Sequence, residues 1–281
     1  MSKKQSDYVN NKKNRRNNPV DRRNTVGDKL SFAASEAYKL LRTNLIFSMA
    51  DEGKCKIIGV TSALRGEGKS TTAMNLAYTL AQTGKKTLLM EADMRIPVAA
   101  STLGIEESPG LSNVLAGLNN LNDALRNGCL NKYLCVMPAG DIPPNPSELL
   151  SSKRMEGMLE TLAGAFDYII MDLPPVNAVS DGLAVSKLLT GMVMVVRQNY
   201  CDQHSLGEAM RQMEFLKVKV LGFVMNDSES PEKRYKKYGS SGRYGYYKYG
   251  NSYYKDRRRS RVFVPEDAEV VYTPMEDDLN V

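Results

Sequence analysis

Short apolar runs alternate along the chain with longer segments whose apolar residues recur at helical spacing. Apolar, β-branched runs of this length predict buried strands, and they occur at 56–61, 86–90, 133–137, 166–171, 192–197 and 218–225. Helical spacing predicts helices over 31–50, 70–82, 145–162 and 203–216. This alternation predicts an α/β fold with three layers and a mainly parallel central sheet.

The first predicted helix, 31–50, carries a charged stripe, with Ser35 as its expected N-cap. Glu36, Lys39 and Arg42 are spaced i, i+3 and i+6, so they line one side of the helix. Two interpretations fit. The stripe is either a solvated face with pairing inside the helix, or a surface that presents alternating charge to a neighbouring subunit.

The turn between the first central strand and its helix reads GEGKST. It meets the motif G-x-x-x-x-G-K-[ST] except at its first position, where Ala63 stands. Such a loop directs backbone N–H groups and a helix N-terminus at a phosphate, while its Lys adds charge and its hydroxyl can bind Mg²⁺. The expected phosphate-binding residues are Gly66, Glu67, Gly68, Lys69, Ser70 and Thr71. Together with the α/β pattern, this loop predicts a P-loop NTPase fold.

Acidic residues follow two of the predicted strands. Glu91 and Asp93 come after 86–90, and Asp172 ends the apolar run 166–171. Carboxylates at the carboxyl ends of parallel strands lie at the edge where α/β sheets bind ligands. Asp172 fits the Walker B position, which binds Mg²⁺ directly or through water. Glu91 and Asp93 are candidates for holding the metal or for accepting a proton from an attacking hydroxyl.

Two further polar residues stand at element ends. Asp181 opens the next predicted helix, where an N-cap is its expected role. Asn226 ends the last predicted strand, where it either bonds an adenine edge or forms a turn.

The charge of the 281-residue chain, +6 overall, is concentrated near its ends. Residues 1–29 hold nine Lys and Arg against three Asp, and 233–261 hold eleven against one Asp. The last twenty residues, 262–281, hold six acids and neither Lys nor Arg. We therefore expect a disordered basic segment over 1–29, a folded domain over 30–230 and a flexible tail over 231–281.

Composition argues against several classes of protein. No apolar run approaches the ~20 residues that a membrane span needs, and no secretory signal is visible, so a cytoplasmic protein is expected. The four cysteines have no C-x-x-C spacing, which favours reduced thiols over a disulfide framework or a metal site. The single His204 gives no support for a metal centre.

The tail interleaves tyrosine with Gly, Ser, Lys and Arg over 235–254. Its tyrosines are Tyr235, Tyr238, Tyr244, Tyr246, Tyr247, Tyr249, Tyr253 and Tyr254. They are either stacking platforms for single-stranded nucleic acid or acceptors of a phosphoryl group.

Together these motifs resemble the bacterial tyrosine kinases (BY-kinases) of capsule and exopolysaccharide synthesis. The resemblance covers about residues 31–255 and is closest to the cytoplasmic form without a membrane span. The segments that carry it are SEAYKLLRTN at 35–44, TSALRGEGKSTTAMNLA at 61–77, LLMEADMRIP at 88–97, GLSNVLAG at 110–117, PPNPSELL at 143–150, FDYIIMDLPPV at 166–176 and the tyrosine cluster.

The resemblance implies roles for individual residues. Lys69 and Ser70 match the Walker A lysine and metal-binding hydroxyl, and Asp172 matches the Walker B acid. Glu91, Asp93 and Arg95 match the Walker A′ motif. The charged stripe Glu36, Lys39 and Arg42 matches the oligomerisation motif E-x-x-R-x-x-R, which favours the intersubunit interpretation. Three residues depart from the family pattern: Arg65 replaces Pro, Glu91 replaces Asp, and Lys39 replaces Arg.

The resemblance also implies activity and partners. The expected protein is an ATP- and Mg²⁺-dependent tyrosine autokinase that phosphorylates its tail cluster, in trans within an oligomer that forms a ring when unphosphorylated. Its expected partners are a transmembrane activator of the polysaccharide co-polymerase type, which recruits it to the inner face of the membrane, and a tyrosine phosphatase.

Two competing functions remain at this point. One is a partitioning-type P-loop ATPase, although the stretch before Gly66 offers Arg65 where such proteins carry a second lysine. The other is an adaptor without enzyme activity whose basic tail binds nucleic acid or acidic membrane, and nucleic acid is the less expected partner.

Overall fold

A seven-stranded sheet forms the centre of the computed structural model, which describes residues 25–49 and 55–227. The strands are β1 Lys56–Ser62, β2 Thr87–Glu91, β3 Arg126–Asn127, β4 Leu134–Met137, β5 Tyr168–Asp172, β6 Gly191–Arg197 and β7 Val220–Asn226. Their order across the sheet is β3-β4-β2-β5-β1-β6-β7. All neighbouring pairs are parallel except β3 and β4, so the expected mainly parallel sheet is confirmed.

Helices cover both faces of this sheet. They are α1 Phe32–Ser48, α2 Lys69–Ala81, α3 Ala99–Leu103, α4 Leu111–Ala116, α5 Pro146–Leu150, α6 Lys153–Ala163, α7 Asp181–Ala184 and α8 Gln203–Phe215. Short 3-10 turns lie at Gly27–Lys29, Leu121–Ala124 and Ser186–Leu188. No helix within the described ranges combines the length and the apolar character that a membrane crossing requires.

Alternate residues of the strands supply two separate apolar cores. Leu88, Met90 and Met171 pack on one face with residues of α4, α5, α6 and α8. Leu89 and Ile170 pack on the other face, against α2 and α1. Because successive strand residues point to opposite faces, strands that are apolar throughout fill both cores and the three-layer arrangement follows.

Some boundaries differ from the sequence prediction for local reasons. Helix α1 is capped by Ser31, whose hydroxyl accepts a 3.3 Å hydrogen bond from the Ala34 amide, and not by Ser35. The helix predicted over 145–162 is two helices, α5 and α6, because the Ser152 hydroxyl caps a new helix by accepting from the Met155 amide at 3.2 Å.

The amino-terminal boundary of the folded part is also corrected. Residues 25–29 were expected in the disordered segment, yet they lie against α2. The Gly27 amide donates to Asn75 Oδ1 at 3.0 Å, Asn75 Nδ2 donates to the Thr25 carbonyl at 2.9 Å, and Tyr78 donates to Asp28. Buried polar side chains of α2 thus hold this segment. The remainder of the predicted basic segment and the predicted tail with its tyrosine cluster lie outside the described residues.

Candidate active site

The glycine loop between β1 and α2 depends on two glycines with left-handed backbone. Gly66 has φ +86° and Gly68 has φ +95°, values that residues with a Cβ atom rarely adopt. A Cβ atom on Gly68 would lie 2.0 Å from Asn226 Nδ2. Gly68 directly precedes α2, so the loop delivers its backbone to the amino terminus of that helix, as an anion-binding loop requires.

Glu67 and Asn226 fix the glycine loop by hydrogen bonds to the rest of the domain. Asn226, at the end of β7, donates to the Glu67 carbonyl at 2.8 Å. The buried Glu67 carboxylate accepts from the Leu64 amide at 2.7 Å and from the Arg197 amide at 3.2 Å. The side chain of Glu67, expected to bind the cofactor, is therefore engaged within the protein, and its contribution to a phosphate site would come from its backbone.

The Lys69 ammonium joins the loop to the ends of two strands. It lies 2.7 Å from Asp93 Oδ2, 3.4 Å from Asp172 Oδ1 and 3.2 Å from Ser70 Oγ. Lys69, Asp93 and Asp172 are each at most 8% exposed. Burial alone would lower the pKa of Lys69, but the carboxylates of Asp172 and Asp93 outweigh it and raise that pKa, so the lysine stays charged.

The oxygens around Lys69 fit a divalent cation such as Mg²⁺. Asp172 is 2% exposed, and its buried Oδ2 atom has no hydrogen-bond partner among the described residues. Burial raises the pKa of Asp172 against the opposing charge of Lys69. An unpaired carboxylate oxygen beside a hydroxyl and a second carboxylate matches Mg²⁺, which takes one or two carboxylates together with substrate phosphates.

Glu91 lies in register with Asp172 but bonds elsewhere. Its carboxylate accepts hydrogen bonds from the backbone amides of Val98, Ala99 and Ala139, the last two at 2.6 and 3.4 Å. It thus holds the amino terminus of α3 against the end of β4. Burial raises the pKa of Glu91 to about 7, although these amide bonds oppose the shift.

Arg95 is fixed by a residue that sequence reasoning treated as a simple helix cap. Its Nε donates to Asp181 Oδ2 at 2.6 Å and its Nη2 donates to Oδ1 at 3.1 Å. The Ser147 hydroxyl also donates to Asp181, whose carboxylate is almost fully buried. Burial works against the charge on Asp181, but the bonds from Arg95 and Ser147 hold its pKa below its usual value. The cap position itself belongs to Ser180, which corrects the expected role of Asp181.

Comparison with known proteins identifies this arrangement. The AAA domain family matches residues 55–215. Tyrosine-protein kinase YwqD of Bacillus subtilis (strain 168) is 38% identical over 213 residues, which cover 76% of this chain and 86% of YwqD. The chain belongs to the bacterial tyrosine kinases. The structure of the kinase domain of Escherichia coli tyrosine kinase ETK matches with 31% identity and a TM-score of 0.68, covering 78% of this chain and 83% of that one.

A second solved structure has the same fold as this chain. The chimerical protein CapA2B2 matches with 33% identity and a TM-score of 0.66, covering 69% of this chain and 85% of that one. YwqD and ETK confirm the bacterial tyrosine kinase family inferred from the sequence motifs, and with it the P-loop fold and the protein-tyrosine kinase activity.

The charged stripe of α1 has two kinds of contact in this kinase. Lys39 Nζ lies 2.8 Å from Glu36 Oε1, and both side chains are about half exposed. Arg42 instead donates to the carbonyl of Thr79, at 2.7 Å, within the same chain. The structure thus joins Arg42 to α2, while Glu36 and Lys39 remain accessible to a neighbour.

The sequence reasoning missed the contacts that the segment after β6 makes with the glycine loop. Tyr200 donates its hydroxyl to the Arg65 carbonyl at 2.9 Å. Arg197 lies over the Tyr200 ring at 5.4 Å from its centroid and pairs with Asp227 at 3.1 Å. No local pattern around Tyr200 signals this contact, because it joins residues 135 positions apart.

Proposed function

We propose that this kinase transfers the γ-phosphoryl group of ATP to tyrosines of its own carboxyl-terminal cluster, 235–254. The observation that carries the proposal is the convergence of Lys69, Asp93 and Asp172 at the end of the glycine loop. In this arrangement a loop suited to phosphates, a cation and two carboxylates meet at one edge of the sheet, as phosphoryl transfer requires.

Individual residues have distinct roles in the proposed phosphoryl transfer. The tyrosine oxygen attacks the γ-phosphorus, the bond from that phosphorus to the bridging oxygen breaks, and ADP leaves with the bonding electrons. Asp93 orients the incoming hydroxyl and accepts its proton. Lys69 and Arg95 supply positive charge beside the transferring group. Asn226 and the backbone of 66–71 hold the nucleotide, while Glu91 holds the loop that carries Asp93 and Arg95.

Ser70 and Asp172 are the residues that would hold Mg²⁺, with the Asp93 carboxylate beside them at Lys69. The cation would neutralise charge on the nucleotide phosphates. The buried Oδ2 atom of Asp172, which no residue in the described part of the chain hydrogen-bonds, supports this assignment.

The charge of the tail suggests how phosphorylation regulates assembly of this kinase. Residues 233–261 hold eleven Lys and Arg against one Asp, and each phosphotyrosine adds about −1.5 to −2 charges, so several phosphates reverse the sign of the segment. We propose that unphosphorylated copies assemble, through Glu36, Lys39 and Arg42, into a ring in which one tail enters a neighbouring site. Phosphorylation then weakens the ring, and a tyrosine phosphatase resets it.

The cellular role proposed for this cycle is control of capsular or exopolysaccharide synthesis and export. A separate transmembrane activator would bring the cytoplasmic kinase to the inner face of the membrane. The relationship to YwqD and to the other matched kinases supports this setting for the present chain.

Incubation of the full chain with labelled ATP and Mg²⁺, alone and with a candidate activator, tests the proposal. Label should appear on tyrosines within 235–254 and increase with activator. Lys69→Met should reduce labelling at least 100-fold. Replacing all eight cluster tyrosines by Phe should remove the label and leave nucleotide binding intact.

Two outcomes would contradict the proposal. ATP hydrolysis without phosphotyrosine on any substrate would instead support the partitioning-type ATPase. Label that persists on the chain after the eight Tyr→Phe substitutions would show that the acceptor lies outside the cluster.

A further inference from the structure

A groove of about 260 Å³ opens beside the loop that carries Asp93. Apolar residues, among them Pro97, Ala100, Pro138 and Ile142, line it together with polar and acidic ones. Ile142 is 68% exposed, although it is a large apolar side chain. Exposed apolar surface next to a reaction centre is typical of a binding groove.

The groove lies at the end of the site opposite β7. Asn226 contacts the glycine loop from β7, whereas Lys69 contacts Asp93 at the other end of the site, after β2. In the sheet order β4-β2-β5-β1-β6-β7, the ends of β2 and β4 are therefore on the far side of the glycine loop, which follows β1, from β7. Pro97 and Pro138 follow β2 and β4, which puts the groove at that far side.

The charge at the groove is acidic. The exposed side chains of Glu107 and Asp141 stand among the lining residues, Glu91 is buried beneath them, and no Lys or Arg of the described part of the chain lines the groove. Asp141 Oδ2 accepts from Asn113 at 2.8 Å, which fixes its position. Glu107 makes no ion pair with any described residue, so its charge is open to a ligand.

We propose that this groove binds the 233–255 segment of a neighbouring copy and selects acceptor tyrosines by the Lys or Arg next to them. This inference rests on the proposed function. Six of the eight cluster tyrosines have such a neighbour: Tyr235, Tyr238, Tyr244, Tyr247, Tyr249 and Tyr254. Tyr246 and Tyr253 have none. Charge complementarity singles out this segment, because the other end of the tail, 262–281, is acidic.

Peptide kinetics with the full chain test the groove. The enzyme carries Phe at the eight cluster positions, so that added peptide is the acceptor. The peptide KRYKKYGSSG, residues 233–242, is compared with a version in which its four Lys and Arg are Gln. Enzyme variants are Glu107→Gln, Glu107→Lys and the control Glu160→Lys, which reverses an exposed charge on α6 away from the groove.

For the basic peptide, Glu107→Gln should raise KM about threefold, the scale of one exposed ion pair. Glu107→Lys should raise it about tenfold, because attraction becomes repulsion. Added salt should raise KM of the parent enzyme for the basic peptide and much less for the Gln peptide. Glu160→Lys should match the parent enzyme.

Each result has one meaning. Equal KM values for Glu107→Lys and Glu160→Lys, with both peptides phosphorylated, would contradict binding of the segment in this groove. The proposed kinase reaction would be unaffected by that result. Absence of phosphate on both peptides and on the intact tail would instead defeat the proposed function. In the intact chain, slower labelling of Tyr246 and Tyr253 than of the other six supports the groove, and equal labelling contradicts it.

Discussion

Arg95 and Asp181 are joined by two hydrogen bonds, of 2.6 and 3.1 Å, between residues that are 86 positions apart. The Arg95 side chain is 45% exposed, whereas that of Asp181 is 1% exposed. The buried carboxylate thus fixes a cation at the edge of the site. Asp181 is a positioning residue in this interpretation, since it acts through Arg95.

The two partners should respond unequally to substitution. Arg95→Ala leaves a buried carboxylate with the Ser147 hydroxyl but without its charged partner, and should lower the free energy of unfolding by about 2 kcal/mol. Asp181→Asn leaves an arginine that water can reach and should cost about 1 kcal/mol. Both should slow tyrosine phosphorylation. Chemical denaturation and labelling rates check this, and a larger loss of stability for Asp181→Asn would contradict it.

Glu91 should make stability depend on pH between about 4.5 and 7. Its folded pKa is about 7, above the ordinary value of 4.5, so the folded protein holds this proton after the unfolded chain has lost it. The contribution of Glu91 to the free energy of unfolding therefore falls as pH rises through this window, by about 3 kcal/mol, and does not change further above it.

Glu91→Gln removes the titrating group, so the difference in melting temperature between variant and parent should shift in favour of the variant from pH 5 to pH 8. Glu160→Gln, on the surface of α6, is the matched control and should keep a constant difference. A pH-independent difference for Glu91→Gln would show that the carboxylate does not titrate in this window.

Gly68 and Gly157 provide a pair of glycine substitutions with opposite expected signs. At Gly68, with φ +95°, an added Cβ meets Asn226 at 2.0 Å, so Gly68→Ala should cost about 2 kcal/mol or more and weaken ATP binding at least tenfold. At Gly157, in α6, an added Cβ meets nothing within 4 Å, so Gly157→Ala should stabilise by about 0.5–1 kcal/mol. Melting temperature and nucleotide titration distinguish the two.

The stripe on α1 should separate into a folding part and an assembly part. Arg42→Ala removes the bond to the Thr79 carbonyl and should lower stability by about 1 kcal/mol as well as weaken the oligomer. Lys39→Ala removes only an exposed pair with Glu36 and should change assembly without a measurable change in melting temperature. Light scattering beside thermal denaturation tests this. An unchanged oligomer in both variants would show that the charged stripe does not form the interface between subunits.

Local spacing was sufficient to predict the elements of the site. The strand before Gly66, the helix after Lys69 and the apolar run that ends at Asp172 each depend on residues close together in the chain, so their periodicity is visible in the sequence. The chemical character of Lys69, Ser70 and Asp172 follows from residue type at these element ends.

Tertiary structure alone decided how the remaining polar groups are paired. The sheet order and register bring Glu91 beside Asp172, yet the Glu91 carboxylate bonds the amides of Val98, Ala99 and Ala139. Asn226 reaches Glu67 across 159 positions, and Asp181 reaches Arg95 across 86. Such partners depend on which strands become neighbours and on which way each loop turns after its strand. The amino-acid sequence therefore determined the elements and chemical groups of this kinase. Only the packing of the sheet determined which of these polar groups form hydrogen bonds with each other.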